Sequence, residues 1–410
     1  MSTTTRKRAQ KPLSGIKVLD FSRVLAGPHC GRMLTDLGAD VVKVEPTTGD
    51  VLRTGTPRRN SISAAFTHQN IGKRNISIEL RDPRGLEIAH ALCDKTDVIV
   101  ENFRPGTMAK MGLGYEQLCE SNPGLVFASI SGYGQEGMWR DRRAYAMLVQ
   151  AEMGYMEGDA RYTGRELDQE PYAHGDLYAG TQCCVGILAA LLQRSASGKG
   201  GTVDVDMAES ILFMNESATV QASGLKESLP LPTTGSPTFQ TADGHFVCVA
   251  FDPVERGIFA SYVSAMEKPE MAEDPRFESR ESRIEHRSEL LAVIREWAQG
   301  FASATDLETH LARFGLASGL VRSVAEAAAL EWADERRAFV EVSDRGDGWL
   351  KVPNTPWRFS TGQSGGEGVA SYRGEDNRDV LRDWLSMPDA EIDSLESEGI
   401  LSYRGPSGKS

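Results

Sequence analysis

Residue patterns that metal binding, disulfide bonding and nucleotide-cofactor binding require are scarce in this sequence. Only six of its 410 residues are cysteine, and they show neither metal-ligand spacing nor a paired framework. No Gly-x-Gly-x-x-Gly motif follows the first predicted strand, and no P-loop occurs anywhere. We therefore expect no metal centre, no nicotinamide site and no nucleoside-triphosphate site. The cysteine usage suits a reducing cytoplasm, which is the predicted location.

Positive charge is also in short supply. The chain has 45 Lys and Arg residues against 58 Asp and Glu residues, a formal net charge of −13. Because nucleic acid and anionic membranes repel such a protein, neither is expected as a main partner. Any polyanionic ligand must therefore be met by a local basic patch.

Hydrophobic segments are short. Residues 1–11 are polar and basic without an apolar stretch, so we expect no signal peptide or anchor there and predict a disordered tail over 1–12. A charge-free, mostly apolar run covers residues 177–192. That run is too short to span a bilayer and has the length of a buried helix.

Strands and helices alternate along the first half of the chain. Asp82 followed by Pro83 predicts one helix start, and Pro28 predicts the opening of an earlier helix. Strand patterns occur at 16–21, 39–45, 75–80, 97–103, 125–131 and 202–206. The alternation predicts a doubly wound, mostly parallel α/β sheet, whose ligands bind at the carboxyl ends of the strands. A linker rich in Gly, Pro, Ser and Thr is predicted at 223–237, followed by a smaller, mostly helical unit.

One carboxylate stands at the mouth of the apolar run. Asp176 directly precedes residue 177, where helix N–H groups and the helix dipole favour the ionised form while apolar surroundings remove its water. The side chain could be an N-cap, or it could be a desolvated carboxylate nucleophile. The two roles are compatible, and spacing does not choose between them.

Six short motifs occur in order along the chain. They are VLDFSRVLAGP at 18–28, GADVVKVE at 38–45, NIGKR at 70–74, VENFRPG at 100–106, ISGYGQ at 130–135 and GDLYAG at 175–180. RGE at 373–375 and VL at 380–381 complete the set. Together they resemble the family III CoA-transferases, the carnitine/formyl-CoA transferase group, to which the α-methylacyl-CoA racemases are related. The resemblance covers nearly all of residues 13–401, and its specificity comes from the order and spacing of the motifs.

The resemblance implies a particular architecture. A Rossmann-like large domain is expected from both chain ends, residues 13–222 and 331–410, with the linker and a smaller α+β domain inserted at 223–330. It also implies an interlocked homodimer with active sites at the subunit boundaries.

The implied activity is acyl-CoA:carboxylate CoA transfer. Asp176 falls on the family's catalytic aspartate, which attacks an acyl-CoA thioester to form an acyl–aspartyl anhydride. CoA thiolate then converts the anhydride into an aspartyl–CoA thioester, from which a carboxylic acid takes the CoA. Coenzyme A and acyl-CoA are substrates in this chemistry, and no tightly bound cofactor or metal is expected.

The resemblance also implies a set of CoA-binding residues. They are Arg23, Val24, Ala26, Lys73, Arg74, Asn102, Phe103, Arg104 and Lys110. Lys73, Arg74 and Lys110 are expected near the nucleotide end, and Asn102 and Phe103 along the pantetheine–adenine path. Without the resemblance, each of these cations would be predicted to be an ordinary solvated charge.

Two alternatives remain open at this stage. Racemases of the family move an α-proton between a His and an Asp, and Tyr145 and Ala146 occupy the racemase His position and the adjacent Asp position here. An epimerase would have to pair Asp176 with Tyr145 or with His174. The second alternative is a catalytically silent CoA-binding member, against which the intact pair Gly175–Asp176 argues. Tyr145 and Gly175 are expected in the substrate region.

Overall fold

The structure is a computed structural model, and it describes residues 11–163, 166–167, 171–225 and 236–405. Most of the predicted tail, residues 1–10, and most of the predicted linker, residues 226–235, therefore lie outside the described residues. Lys11, at the end of the predicted tail, is held in place because its Nζ donates a 2.9 Å hydrogen bond to the carbonyl oxygen of Gly365.

The strands and the helices of the described residues are numbered separately, each in chain order. The strands are β1 (Lys17–Asp20), β2 (Asp40–Glu45), β3 (Arg58–Arg59), β4 (Ile62–Ser63), β5 (Arg74–Ser77), β6 (Val98–Glu101), β7 (Val126–Ser131), β8 (Gly201–Asp206), β9 (Thr238–Gln240), β10 (Phe246–Val249), β11 (Ser318–Leu320), β12 (Phe339–Ser343) and β13 (Trp349–Pro353). The helices are α1 (Ala26–Asp36), α2 (Ala64–Asn70), α3 (Pro83–Cys93), α4 (Thr107–Lys110), α5 (Tyr115–Leu118), α6 (Ala146–Glu152), α7 (Tyr155–Thr163), α8 (His174–Ser197), α9 (Met207–Met214), α10 (Ala218–Ala222), α11 (Arg256–Ala265), α12 (Arg280–Glu285), α13 (Arg287–Ala298), α14 (Ala304–Arg313), α15 (Val324–Ala327), α16 (Glu331–Glu335), α17 (Asn377–Leu385) and α18 (Asp389–Ser397).

A six-stranded parallel sheet organises the larger part of the chain. Its strand order is β5-β2-β1-β6-β7-β8. The chain moves outward from β1 on one side and then returns to β6 on the other side. The carboxyl ends of β1 and β6 therefore flank a topological switch point, where ligands of such sheets bind. The predicted mixed α/β fold with a parallel central sheet is confirmed.

The chain forms two compact units, one made of Met1–Glu216 with Glu331–Ser410 and one made of Ser217–Leu330. In the first unit, α3, α17 and α18 contribute to the core on one face of the sheet. The other face is covered mainly by α1, α8 and α9. The second unit contains the antiparallel sheet β11-β10-β9, and α11, α13 and α14 supply most of its remaining core.

Two helix predictions need correction. The predicted buried helix, α8, is longer than expected and covers His174–Ser197, and within the described residues it is the one helix long and apolar enough to cross a membrane by length and composition. One such helix is weak support for a membrane span, because core helices pass the same test, and α8 packs on α1, α9, β7 and β8. A single helix over 207–222 was wrong, because Asn215 is extended and ends α9.

Candidate active site

The loop after β1 is clamped by the loop after β6. Asn102 accepts a 2.9 Å hydrogen bond from the backbone N–H of Arg23 and donates a 2.8 Å bond to the Arg23 carbonyl oxygen. The Arg23 guanidinium lies 5.5 Å from the centre of the Phe103 ring, within cation–π range. The structure therefore brings together three of the predicted CoA-binding residues at the switch point of the sheet.

Val24 has an unusual backbone conformation in this loop. Its φ angle is 65°, a left-handed conformation that is costly for a β-branched residue. The Asp50 carboxylate accepts the Val24 N–H at 3.2 Å and 3.3 Å, and Asp50 forms a buried 3.1 Å ion pair with Lys43. Lys43 also donates a 2.7 Å bond to the carbonyl oxygen of Ser22. A buried charged pair thus stabilises the strained loop.

The environment of this pair keeps Lys43 charged. Burial by itself lowers the pKa of its ammonium group, but the carboxylates of Asp20 and Asp50 raise that pKa above the ordinary value. The bond from Lys43 to the Ser22 carbonyl oxygen therefore has a charged donor, which makes it one of the stronger kind of hydrogen bond.

Asp176 lies in the first turn of α8. The helix begins at His174 and its N-cap is Ala173, which makes no side-chain capping bond, so the interpretation of Asp176 as the N-cap was wrong. Its carboxylate is partly buried and lies close to the backbone N–H of Ala26, the first residue of α1. Burial raises the pKa of Asp176 to about 6, while the Ala26 N–H acts in the opposite direction.

Two helix N-termini meet at this carboxylate. The cap residues of the two helices, Leu25 of α1 and Ala173 of α8, make no side-chain capping bond. The positive ends of the two helix dipoles favour negative charge near Asp176. A Cβ built on Gly180 would lie 2.4 Å from the Ala26 carbonyl oxygen, so glycine permits the close approach of α8 to α1.

Gln150 holds the start of α8 from a second side. This fully buried amide accepts a 3.2 Å hydrogen bond from the Gly175 N–H and donates a 3.2 Å bond to the Tyr172 carbonyl oxygen. A Cβ built on Gly175 would lie 3.5 Å from the Cα of Ala146. The preceding residue, Tyr145, is 72 % exposed. The predicted substrate-region residues therefore belong to neighbouring elements beside Asp176.

Lys73 occupies a different environment from the one expected. Its side chain is buried, and its Nζ bonds Asp20 at 2.8 Å, the Pro28 carbonyl oxygen at 2.9 Å and Asn70 at 3.0 Å. All three N–H donors are used inside the protein, so none remains for a phosphate. Burial lowers the pKa of Lys73 to about 8, whereas Asp20, despite its own burial, has its pKa lowered by Lys73 and Lys43. We reassign Lys73 to the support of the β1 loop.

Arg74 also has internal partners. Its guanidinium pairs with Asp40 at 2.6 Å and with Asp383 at 2.8 Å, beside the ring of Trp384. These acids occupy the start of β2 and helix α17, at the opposite end of the strands from the switch point. This placement of Arg74, far from the switch point, does not suit the predicted contact with CoA.

The other predicted cations are exposed. Arg104 and Lys110 flank Gly106 in the segment after β6. A Cβ built on Gly106 would lie 3.1 Å from Nη2 of Arg140, a cation that the sequence interpretation missed. Asp50 and Gln150 were missed as well. Asp50 could have been suspected because it follows Gly49 in the loop after β2, but Gln150 has no sequence signal.

The described side chains around Asp176 do not resemble a metal site. Among the residues that the structure describes, no group of three or more His, Cys, Asp or Glu side chains could hold a metal ion. The site instead offers a carboxylate, two helix N-termini and a rigid loop.

A carboxylate and a clamped loop lie at the switch point of a parallel sheet. Comparison with known protein families identifies the class of protein that has this arrangement. The chain belongs to CoA-transferase family III, whose model matches residues 13–377. It is an enzyme of the CoA-transferase class. Proteins of this family use CoA thioesters as substrates and need no tightly bound cofactor.

Individual relatives cover nearly the whole chain. Succinyl-CoA–D-citramalate CoA-transferase of Chloroflexus aurantiacus is 32 % identical over 403 residues, which are 96 % of this chain and 99 % of that protein. Succinyl-CoA:glutarate CoA-transferase of Mus musculus is 31 % identical over 96 % of this chain and 91 % of that protein. The crystal structure of a CaiB/BaiF family protein from Brucella suis has a TM-score of 0.78 and 30 % identity, covering 92 % of this chain and all of that one.

Proposed function

We propose that the chain moves CoA between two carboxylic acids with Asp176 as the covalent nucleophile. The observation that carries the proposal is the position of Asp176, partly buried in the first turn of α8 and close to the N–H of Ala26. Ala26 follows the loop that Asn102 and Asp50 hold rigid. A carboxylate fixed beside a rigid loop suits attack on a thioester bound along that loop.

The reaction balances without net proton transfer. A carboxylate oxygen of Asp176 attacks the thioester carbonyl carbon, the C–S bond breaks, and CoA leaves as thiolate. The thiolate then attacks the aspartyl carbonyl of the anhydride and displaces the donor acid as a carboxylate. The acceptor carboxylate repeats these two steps in reverse, which returns Asp176 to its ionised form. The positive ends of the two helix dipoles stabilise the oxyanions that form.

CoA transfer includes no proton-transfer step, whereas epimerisation requires one, and the residues beside Asp176 suit transfer better. Transfer needs no general base, so an exposed Tyr145 at the racemase His position does not impair it. His174 and Asp176 are two residues apart on one helix, a spacing at which side chains do not face each other. The His174 ring instead lies among the rings of Tyr155, Tyr172 and Tyr178, with centroids 5.1 to 5.9 Å away.

The two named relatives suggest a substrate class. Both pair succinyl-CoA with a short dicarboxylic acid. We propose succinyl-CoA as donor and a short dicarboxylic acid as acceptor for this chain. Arg23, Val24 and Ala26, with Asn102 and Phe103, form the proposed path for the coenzyme. Among the predicted cations, Arg104 and Lys110 have exposed side chains suited to its phosphates.

We propose further that the protein works as an interlocked homodimer. The outer surfaces of α8 and α9 carry large apolar side chains that the described chain leaves exposed, among them Leu192 at 74 % and Phe213 at 79 %. Val185, Leu212 and Met214 are exposed on the same two helices. Several large apolar side chains exposed on two neighbouring helices are typical of a subunit interface.

The experiment that tests the function is a substrate screen. The protein is incubated with succinyl-CoA and a panel of mono- and dicarboxylic acids, and new thioesters are measured by mass spectrometry. New acyl-CoA from a dicarboxylic acid supports the proposal. Exchange of α-hydrogen for deuterium without transfer supports epimerisation, and neither reaction supports the catalytically silent alternative.

A further inference from the structure

A small cavity in the first unit is lined by an excess of arginine. Its volume is about 130 Å³, and it is bordered by the loop after β2 and by the segment before residue 406. Four arginines are among its lining residues, namely Arg53, Arg58, Arg373 and Arg404. The volume is below the usual range for pockets of drug-sized ligands, so it suits a compact ion.

Two of these arginines are placed opposite each other by the backbone. Arg373 and Arg404 form an isolated antiparallel bridge, closed by a 2.9 Å hydrogen bond from the Arg404 N–H to the Arg373 carbonyl oxygen. Like charges at directly opposed positions destabilise such a pair. Burial and the charge of Arg404 both lower the pKa of the Arg373 guanidinium, as expected for cations held close together.

The nearby carboxylates are already engaged elsewhere. Glu45 binds the guanidinium of Arg53 through both oxygens, at 2.6 Å and 2.8 Å, and also accepts a bond from Asn75. The Asp50 carboxylate is taken by Lys43 and by the loop after β1. In the described ranges, Arg58, Arg373 and Arg404 have no ion pair.

Solvation accounts for only part of this arrangement. Arg58 and Arg404 are exposed, so water can satisfy their guanidinium groups. The Nε of Arg373 is buried and has no hydrogen-bond partner among the described residues. A buried guanidinium donor without a partner is costly, and an oxyanion in the cavity would satisfy it.

We propose that Arg58, Arg373 and Arg404 form an anion site for a compact phosphate-class oxyanion. The planar fork of arginine matches phosphate geometry, and three cations supply the charge that a dianion requires. Two sources share this chemistry, a free inorganic phosphate and the 3′-phosphate of coenzyme A. The second source rests on the proposed function, whereas the first does not.

The test uses the full-length protein and titration calorimetry with inorganic phosphate in a phosphate-free buffer. Arg58→Gln and Arg404→Gln remove exposed side chains, and Arg373→Gln removes the buried donor. Each should weaken phosphate binding roughly tenfold or more. Arg256→Gln, which removes an exposed arginine from the second unit, is the matched control and should bind as the parent does. If Arg373→Gln fails to fold, the two exposed variants still decide the question.

A second arm separates the two sources. CoA and dephospho-CoA are titrated into the parent and into Arg404→Gln. If the variant loses the preference for CoA over dephospho-CoA, the site holds the coenzyme's 3′-phosphate. If that preference is unchanged while phosphate binding is weakened, the site holds a free anion. The proposal is overturned if the parent binds no phosphate at millimolar concentration, or if all variants bind it equally. Because the first arm needs no coenzyme, a failure of CoA transfer leaves its result intact.

Discussion

The backbone N–H of Ala26, at the start of α1, lies close to the carboxylate of Asp176 on α8 and acts to lower its pKa. The contact links the proposed nucleophile to the loop that carries the proposed coenzyme contacts. A donor of fixed position beside the carboxylate also reduces the reorganisation that attack requires.

The raised pKa of Asp176 predicts a pH dependence. Its pKa is about 6 in the folded protein against about 3.9 in an unfolded chain. Transfer requires the ionised form, so kcat/KM should rise about tenfold per pH unit below pH 6 and then level off. The measurement is a pH–rate profile with acyl-CoA held well below its KM. Asp347→Asn, at an exposed acid, should show the same profile, and a flat profile between about pH 5 and 7 would contradict the assignment.

The same shift has a consequence for stability. Since the folded state favours the protonated form, the stability that Asp176 contributes is fully present below about pH 4 and is lost as pH rises through about 6. The unfolding temperature of the parent should therefore fall relative to that of Asp176→Asn as the pH rises from about 4 to about 6. A constant difference between the two proteins would argue against the raised pKa.

Asn102→Ala should weaken coenzyme binding by releasing the loop after β1. The variant loses both hydrogen bonds to Arg23, each worth about 0.5–1.5 kcal/mol, so KM for acyl-CoA should rise roughly tenfold. Asn122→Ala is the matched control, because Asn122 donates to two backbone carbonyl oxygens in another loop. Steady-state kinetics of both variants tests the loop. Equal KM values for the two variants would show that the clamp on Arg23 is not needed.

Lys73→Met should lower the stability of the folded protein. Removing the ammonium leaves the carboxylate of Asp20 buried without its partner, which costs about 3–5 kcal/mol for a buried ion pair. Chemical denaturation of parent and variant measures the loss. Arg74→Met, at a partly exposed pair, should cost much less. If Lys73→Met is as stable as the parent and binds CoA more weakly, the original phosphate assignment was right and the reassignment is wrong.

The proposed interlocking predicts that dilution does not yield a folded monomer. Chains that thread through one another cannot separate without unfolding, so the dimer should persist at low concentration until the whole fold is lost. Sedimentation velocity over a dilution series, with circular dichroism on the same samples, measures this. A stable, folded monomer would rule out the interlocked arrangement.

Local sequence signals predicted much of the fold but less of the site. The Asp82–Pro83 pair predicted the start of α3 correctly, because capping and a fixed φ angle act within a few residues. The prediction that Pro28 opens a helix was wrong by two residues, because α1 begins at Ala26. The start of α8 was misplaced for a related reason. Its first turn is held by Gln150, which lies 25 residues from Gly175 in the sequence.

The cations show the same limit more clearly. Lys73 lies in a motif and Lys110 shortly after one, but Lys73 is buried among three acceptors whereas Lys110 is exposed. Which partner a charged side chain finds depends on contacts between distant segments, such as Arg74 with Asp383. Charge in a motif therefore predicts an ion pair or a ligand contact without deciding between them.

Asp176→Asn separates the nucleophile from a structural role. Asn has nearly the same size as Asp and also places an oxygen near the Ala26 N–H, so the variant should fold and bind CoA. It presents no carboxylate, so transfer should fall by several orders of magnitude. Turnover is measured on protein whose mass excludes deamidation to Asp, and turnover near that of the parent would remove the assignment.

Trapping the aspartyl intermediate tests the central claim most directly. The parent is incubated with succinyl-CoA, quenched with hydroxylamine, digested and analysed by peptide mass spectrometry. If Asp176 is the nucleophile, a hydroxamate forms on its side chain, and this product is absent without acyl-CoA and absent in Asp176→Asn. An unmodified Asp176 peptide, recovered while the same preparation transfers CoA between acids, would contradict it.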